Sequence, residues 1–305
     1  MKTPRAVRCL VLAAMIAPPA LAQSASLTPE FTESQLRLAL SAPRFTSQPA
    51  VANAAAAAPA PAPGADDAEL AKKLSNPVAS LISVPFQFNY DTGYGAKDAD
   101  RIVLNIQPVV PFSLNDDWNL ILRTILPVIY QGSLADGIQS KAGLGDTVQS
   151  FFFSPKEPIN GWILAAGPVA LWPTGTDPLL RSEQFGLGPT ALALRQDNGW
   201  TYGALVNHIF GVTDSDDHPD VNATFIQPFV SYTWPSATTL AFNTESTYDW
   251  TGEQWTVPLN LILSQVVKFG SQPVQFSLGG RYYADAPDSG PEWGVRFAVT
   301  FLFPN

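Results

Sequence analysis

From Ile82 onward, hydrophobic and polar residues alternate with a period of two. Ile82, Val84, Phe86, Phe88 and Tyr90 oppose Ser83, Gln87, Asn89 and Asp91. Successive strand side chains point to opposite faces, so this run predicts a strand with one oily face and one amide-bearing face. The rhythm returns over residues 101–112, where Ile102, Leu104, Ile106 and Val110 oppose Arg101, Asn105 and Gln107. In a third stretch Trp118, Leu120, Leu122, Thr124, Leu126, Val128 and Tyr130 share a face and Arg123 lies on the other. Further strands are predicted over residues 146–154, 161–172, 185–196, 199–212, 221–234, 238–250, 255–267, 273–284 and 293–303. Alternation is blurred in the fourth to seventh. In the last, Trp293, Val295, Phe297, Val299, Phe301 and Phe303 form one face, with Gly294, Arg296, Ala298 and Thr300 opposite.

About twelve strands, an even number, with aromatic residues at both ends of their apolar faces, predict a transmembrane antiparallel up-and-down β-barrel in the outer membrane of a Gram-negative cell. The connections agree. Those at 113–117, 155–160, 197–198, 235–237 and 268–272 are short, and most of the intervening ones, at 93–100, 132–145, 173–183, 213–220, 251–254 and 285–291, are longer, as periplasmic turns and external loops are. The closing strand is expected to pair with residues 82–90. Prolines within strands, as in Gln107-Pro108 and Gln227-Pro228, remove a ladder hydrogen bond, and in a barrel without edges they predict bulges.

Composition narrows the class. With 46% hydrophobic and 14% charged residues but a mean hydropathy of only +0.06, and no run of 18 apolar residues beyond the N-terminus, transmembrane helices are excluded. A net charge of −9 argues against nucleic acid as a partner. Lys2, Arg5 and Arg8, the apolar run 9–17 and Ala20-Leu21-Ala22 read as a signal peptide, residues 1–22. Cys9, the single cysteine, lies within it, so the mature protein is expected to have no thiol chemistry. Residues 23–80 predict a disordered, flexible Ala/Pro-rich periplasmic segment with short helices at 31–40 and 67–74, the latter stopped at Asn76-Pro77. The barrel is expected over residues 81–305.

Candidate chemistry is sparse. His218 sits among Asp214, Asp216, Asp217 and Asp220, where a solvated loop residue is the plain reading and a divalent-cation contact the sharper one. His208 lies within a strand without a convincing neighbouring serine, which favours a lumen hydrogen bond or a girdle position over catalysis. No enzyme activity, metal or cofactor is expected. Gly143-Leu144-Gly145-Asp146 and Gly186-Leu187-Gly188 lack the strand-to-helix setting of a phosphate cradle and read as strand bends, with Asp146 structural.

The informative set is the inward face: Gln107, Arg123, Gln227, Glu245, Asn260, Gln275, Arg281 and Arg296 are the candidate lumen-lining residues. An arginine facing lipid near the midplane costs about 2–4 kcal/mol, which points these side chains inward. Two roles stay open. Arg281 and Arg296 pair with Glu245 as a brace, or the arginines form a constriction that selects anionic or polarisable solutes. Phe301 and Phe303 are the candidate membrane-assembly signal.

Residues 70–77 (Leu-Ala-Lys-Lys-Leu-Ser-Asn-Pro), 85–90 (Pro-Phe-Gln-Phe-Asn-Tyr), 143–146 (Gly-Leu-Gly-Asp), 227–229 (Gln-Pro-Phe) and 293–304 resemble the MetA-pathway of phenol degradation family of bacterial outer-membrane proteins. The resemblance runs from about Leu70 to the end. It implies a transporter linked to aromatic-compound catabolism. The expected function is passive uptake of small, apolar or aromatic solutes; the alternative is a plugged, non-transporting barrel acting as a surface or assembly protein. Expected partners are outer-membrane lipid, the barrel-insertion machinery and a small-molecule solute, with a monomer favoured.

Overall fold

A computed structural model of the chain describes residues 65–213 and 220–303. The predicted signal peptide, the helix at 31–40, His218 with its acidic neighbours Asp214, Asp216 and Asp217, and Pro304-Asn305 lie outside the described residues. One helix, α1 (Ala65–Leu74), precedes fifteen strand segments: β1 (Ile82–Tyr94), β2 (Ala99–Ile106), β3 (Val109–Ser113), β4 (Trp118–Gln131), β5 (Lys141–Leu144), β6 (Thr147–Pro155), β7 (Trp162–Trp172), β8 (Gly186–Asp197), β9 (Trp200–Gly211), β10 (Asn222–Thr233), β11 (Thr238–Thr244), β12 (Ser246–Asp249), β13 (Gln254–Phe269), β14 (Gln272–Asp285) and β15 (Trp293–Phe303).

Adjacent staves pair antiparallel all round the ring, and β15 pairs with β1 from Ile82 opposite Phe303 to Thr92 opposite Trp293. The ring is therefore a closed antiparallel barrel. It has twelve staves because β2 with β3, β5 with β6, and β11 with β12 each form one interrupted stave. Closure leaves no unpaired edge, which a sheet surrounded by hydrocarbon requires.

The outer face carries the apolar parity of every strand. Its eight tryptophans divide between the two rims: Trp118, Trp162, Trp200 and Trp234 at the short-turn end, and Trp172, Trp250, Trp255 and Trp293 at the long-loop end, all 36% or more exposed. Edge-on pairs such as Trp200 with Tyr232 and Tyr248 with Trp250 fill these girdles. Indole rings favour this level of a bilayer because one end is apolar and the other polar. Both β1 and β15 begin or end at the short-turn rim.

Two expectations about irregularities change. Pro108 interrupts a stave, yet Phe86 opposite Ile106 and Ser83 opposite Val109 keep one register, so no residue is extra there. Pro228 sits opposite Ala204 in an unbroken ladder. A proline deletes a hydrogen bond without inserting a residue, so neither is a bulge. The register shifts lie instead between Asp91 and Tyr94, between Val257 and Pro258, and between β5 and β6 at Gly145-Asp146. The predicted loop 132–145 also contains a strand, β5, which extends the fourth stave.

Helix α1 has Asp66 and Asp67 in its first turn and Lys72 and Lys73 in its last, the charge order that suits the helix dipole. Its Ala71 and Leu74 pack with Ala79, Leu81 and the inward-facing Ala237, Val266 and Leu302. Thus α1 and the linker to β1 lie within the short-turn mouth of the barrel. The polar ties are few: Asp67 pairs with Lys268 at 2.6 Å, Gln196 Nε2 donates to the Lys72 carbonyl at 3.2 Å, and the Ser75 and Thr233 hydroxyls are 3.5 Å apart.

Candidate functional site

The inner wall is chemically two-sided. Strands β4 to β10 turn apolar residues inward on one side, and β11 to β15 with β1 and β2 turn polar and charged residues inward on the other. The apolar arc includes Ile121 and Ile125 of β4, Val148 and Phe152 of β6, Val169 of β7, Leu192 and Leu194 of β8, Leu205 and Ile209 of β9, and Ala223, Phe225 and Phe229 of β10. Val78, from the linker after α1, joins this cluster. These strands are apolar on their lipid face as well, which is why their alternation is blurred in sequence.

The polar arc is a continuous hydrogen-bonded belt. Arg296, 1% exposed, is among the largest fully buried side chains of the barrel. It donates from Nη1 and Nη2 to Oε1 and Oε2 of Glu245, both at 2.8 Å, and from Nε to Asn89 Oδ1 at 2.7 Å. Arg281 donates to Glu245 Oε2 at 2.7 Å, to Asn260 Oδ1 at 2.9 Å and to Asp91 Oδ2 at 3.3 Å. From Asn89 the belt continues to Gln87, Gln107 and Arg123: Gln87 Nε2 donates to Asn89 Oδ1, Gln107 Nε2 to Gln87 Oε1, and Arg123 Nη2 to Gln107 Oε1, at 3.2, 3.2 and 3.3 Å. At the other end Asn260 donates to Asn243 at 2.9 Å.

Ladder register explains how two arginines reach the acids. Arg281, Gly294 and Asp91 stand directly opposite one another on β14, β15 and β1. A Cβ at Gly294 would lie 2.2 Å from Asp91 Oδ1, so glycine alone lets the Arg281 arm cross β15 to Asp91. A forked guanidinium on a carboxylate is the strong form of such a contact, and both partners are buried. Removing one partner of a buried pair strands the other charge in a poor solvent.

The eight candidate lumen residues are placed as follows. Arg281, Arg296, Glu245 and Asn260 meet in the belt, and Gln107 and Arg123 form its other end. Gln227 is buried on β10, next to Ile226, which stands opposite Ser246 of β12. Gln275 is apart: it lines a cavity of about 40 Å³ beneath α1 with Ser264, Ser277 and Thr239, room for a water molecule or more. Sequence reasoning did not single out Asp91, Asn89, Gln87 or Asn243, although their parity puts them on the polar face. Phe301 and Phe303 point outward at the short-turn rim, 37% and 44% exposed.

The remaining candidates lie elsewhere. His208 faces outward, not into the lumen: its Nδ1 is 2.7 Å from the Thr224 hydroxyl, which also accepts from Trp250 Nε1 at 2.8 Å, and its ring lies tilted against that of Phe210. That is a girdle position. Asp146 accepts from the Gly175 and Ser182 amides and the Ser182 hydroxyl at 3.0, 2.6 and 2.7 Å, tying the β7–β8 loop to the wall. That loop turns into the long-loop mouth, where Leu180 packs on Val103 and Ile129.

No family model matches the chain, and no curated protein does. Among solved structures it is similar to an outer-membrane channel from Pseudomonas putida F1, at 15% identity and a TM-score of 0.56 over 73% of this chain and 96% of that one. It is also similar to outer-membrane phospholipase A from Escherichia coli, at 13% identity and a TM-score of 0.41 over 73% and 92%. A third is the CymD monoaromatic hydrocarbon channel, at 10% identity and a TM-score of 0.41 over 79% and 91%. The first of these establishes the fold, that of an outer-membrane barrel. The expectation of no enzyme activity is corrected: the similar solved structures include a phospholipase as well as channels.

Proposed function

We propose that the chain is an outer-membrane channel that passes small solutes with an apolar body by passive diffusion. The observation that carries this is the two-sided lumen. Water-filled barrels have polar interiors; an inward arc of leucine, isoleucine, valine and phenylalanine facing a charged belt suits a solute that is apolar on one side and polar on the other. The resemblance to the MetA-pathway family supports aromatic compounds as the solute class. Outer-membrane lipid meets the apolar outer belt, and residues 1–22 direct export.

A second reading, a plugged barrel, is favoured by α1 in the short-turn mouth. Swelling of liposomes containing the purified full chain separates the two. The channel reading expects swelling in phenylalanine faster than in glucose, a polar solute of similar size. Rates equal to those of protein-free liposomes in both solutes would favour the plug.

A further inference from the structure

Near the long-loop end of the lumen, one row of the ladder leads from Asp91 of the belt to residues that the belt does not use. Reading across neighbouring strands, Asp91 of β1 stands opposite Arg101 of β2, Arg101 opposite Gln131 of β4, and Gln131 opposite Lys141 of β5. Directly opposite residues share a face and bring their Cβ atoms within about 5.5 Å, so all four point inward. Arg101 is 3% exposed and Gln131 is 1% exposed.

Both are unusually short of partners. Neither Nε2 nor Oε1 of Gln131 has a hydrogen-bond partner. Buried amide atoms in that condition are uncommon and call for a specific cause. Arg101 has its guanidinium 5.8 Å from the Tyr94 ring and forms no ion pair among the described residues, because Asp91 across from it is engaged by Arg281. Lys141 is held at 3.2 Å by Asp177 from the β7–β8 loop. Counting Arg281, Arg101 and Lys141 against Asp91 and Asp177, the row and its contacts carry one excess positive charge.

We propose that Arg101 and Gln131 form a subsite for the carboxylate group of a small organic anion. The chemistry fits an oxyanion more closely than a neutral group. A guanidinium presents parallel N–H donors that match a carboxylate, and Gln131 Nε2 adds a donor from the next stave. Lys141 and Arg281 flank the row and neutralise Asp177 and Asp91, which leaves the charge of Arg101 as the uncompensated one. The proposal refines the solute class of the channel reading.

The test uses the full chain in detergent micelles and benzoate as the probe, with equal concentrations of chloride as control. Benzoate is expected to raise the thermal unfolding temperature saturably. Arg101→Gln should shift half-saturation upward by about tenfold or more, the loss of one charge-assisted contact. Gln131→Met keeps the volume and removes the partnerless amide, so it should fold at least as stably as the native chain and still lose most of the benzoate response. A benzoate effect no larger than that of chloride, or one equal in the native chain and both variants, overturns the subsite. The readout needs no conduction. Benzoate stabilisation without liposome swelling would remove the channel reading and leave the subsite, and swelling without stabilisation would do the reverse.

Discussion

At the scale of single residues, the belt turns on Glu245, which takes three of the arginine donors. Its replacement by alanine leaves Arg281 and Arg296 buried beside each other, and the expected loss is roughly 3–5 kcal/mol, read as a fall in the unfolding midpoint in detergent. Gly294→Val tests the reach of Arg281 separately: a side chain there collides with Asp91 and Tyr90. The variant should lower the midpoint as well, and an unchanged midpoint would show that Arg281 does not depend on crossing β15. The arginines were legible in the sequence because a charge on the lipid face is costly, so parity alone sends Arg123, Arg281 and Arg296 inward. Of their partners only Glu245 was. Parity gives a face and leaves the opposite residue open, so Asp91 read only as one polar position among several, and Gly294 matters through the side chain it lacks.

At the scale of elements, strands with chemically different faces could be read directly, and β1, β4, β13, β14 and β15 fall where alternation puts them. Strands β7 to β9 are apolar toward lipid and toward the lumen, so their period-two signal fades; the blurring was itself a trace of the apolar arc. Strand β5 was hidden because Lys141 to Leu144 is too short to show a period. Helix α1 was legible from the proline that stops it, but its seat inside the barrel depends on Ala71 and Leu74 meeting residues from β11, β13 and β15, which no local pattern encodes. A ten-residue helix is marginal alone, and a partly exposed pair such as Asp67–Lys268 contributes about 0–1 kcal/mol. Packing of Leu74 therefore holds α1 in place. Leu74→Asp should release the helix, seen as faster protease cleavage near residue 74 with the barrel still folded. At the other end of the chain, Phe301→Ser with Phe303→Ser should impair membrane assembly, seen as loss of the heat-modifiable band on electrophoresis; a normal band would show that these rings are dispensable.

At the scale of the whole molecule, a closed wall of twelve staves carries two inner faces: an apolar arc on β4 to β10, and a belt of arginines, acids and amides on the remaining staves that ends at Arg123 of β4. The belt ties its staves together through side chains, and the residues of the arc pack with one another as a buried apolar cluster. The barrel's closure follows from the Ile82–Phe303 seam, and its two tryptophan rims set its depth in the bilayer. Single-channel recording in planar bilayers tests passage through this lumen most directly, with the native chain and Leu74→Asp measured side by side. Passage predicts discrete, reproducible conductance steps, larger or more persistent once α1 is loosened. Silence from both proteins, each shown to be folded and inserted, would contradict it.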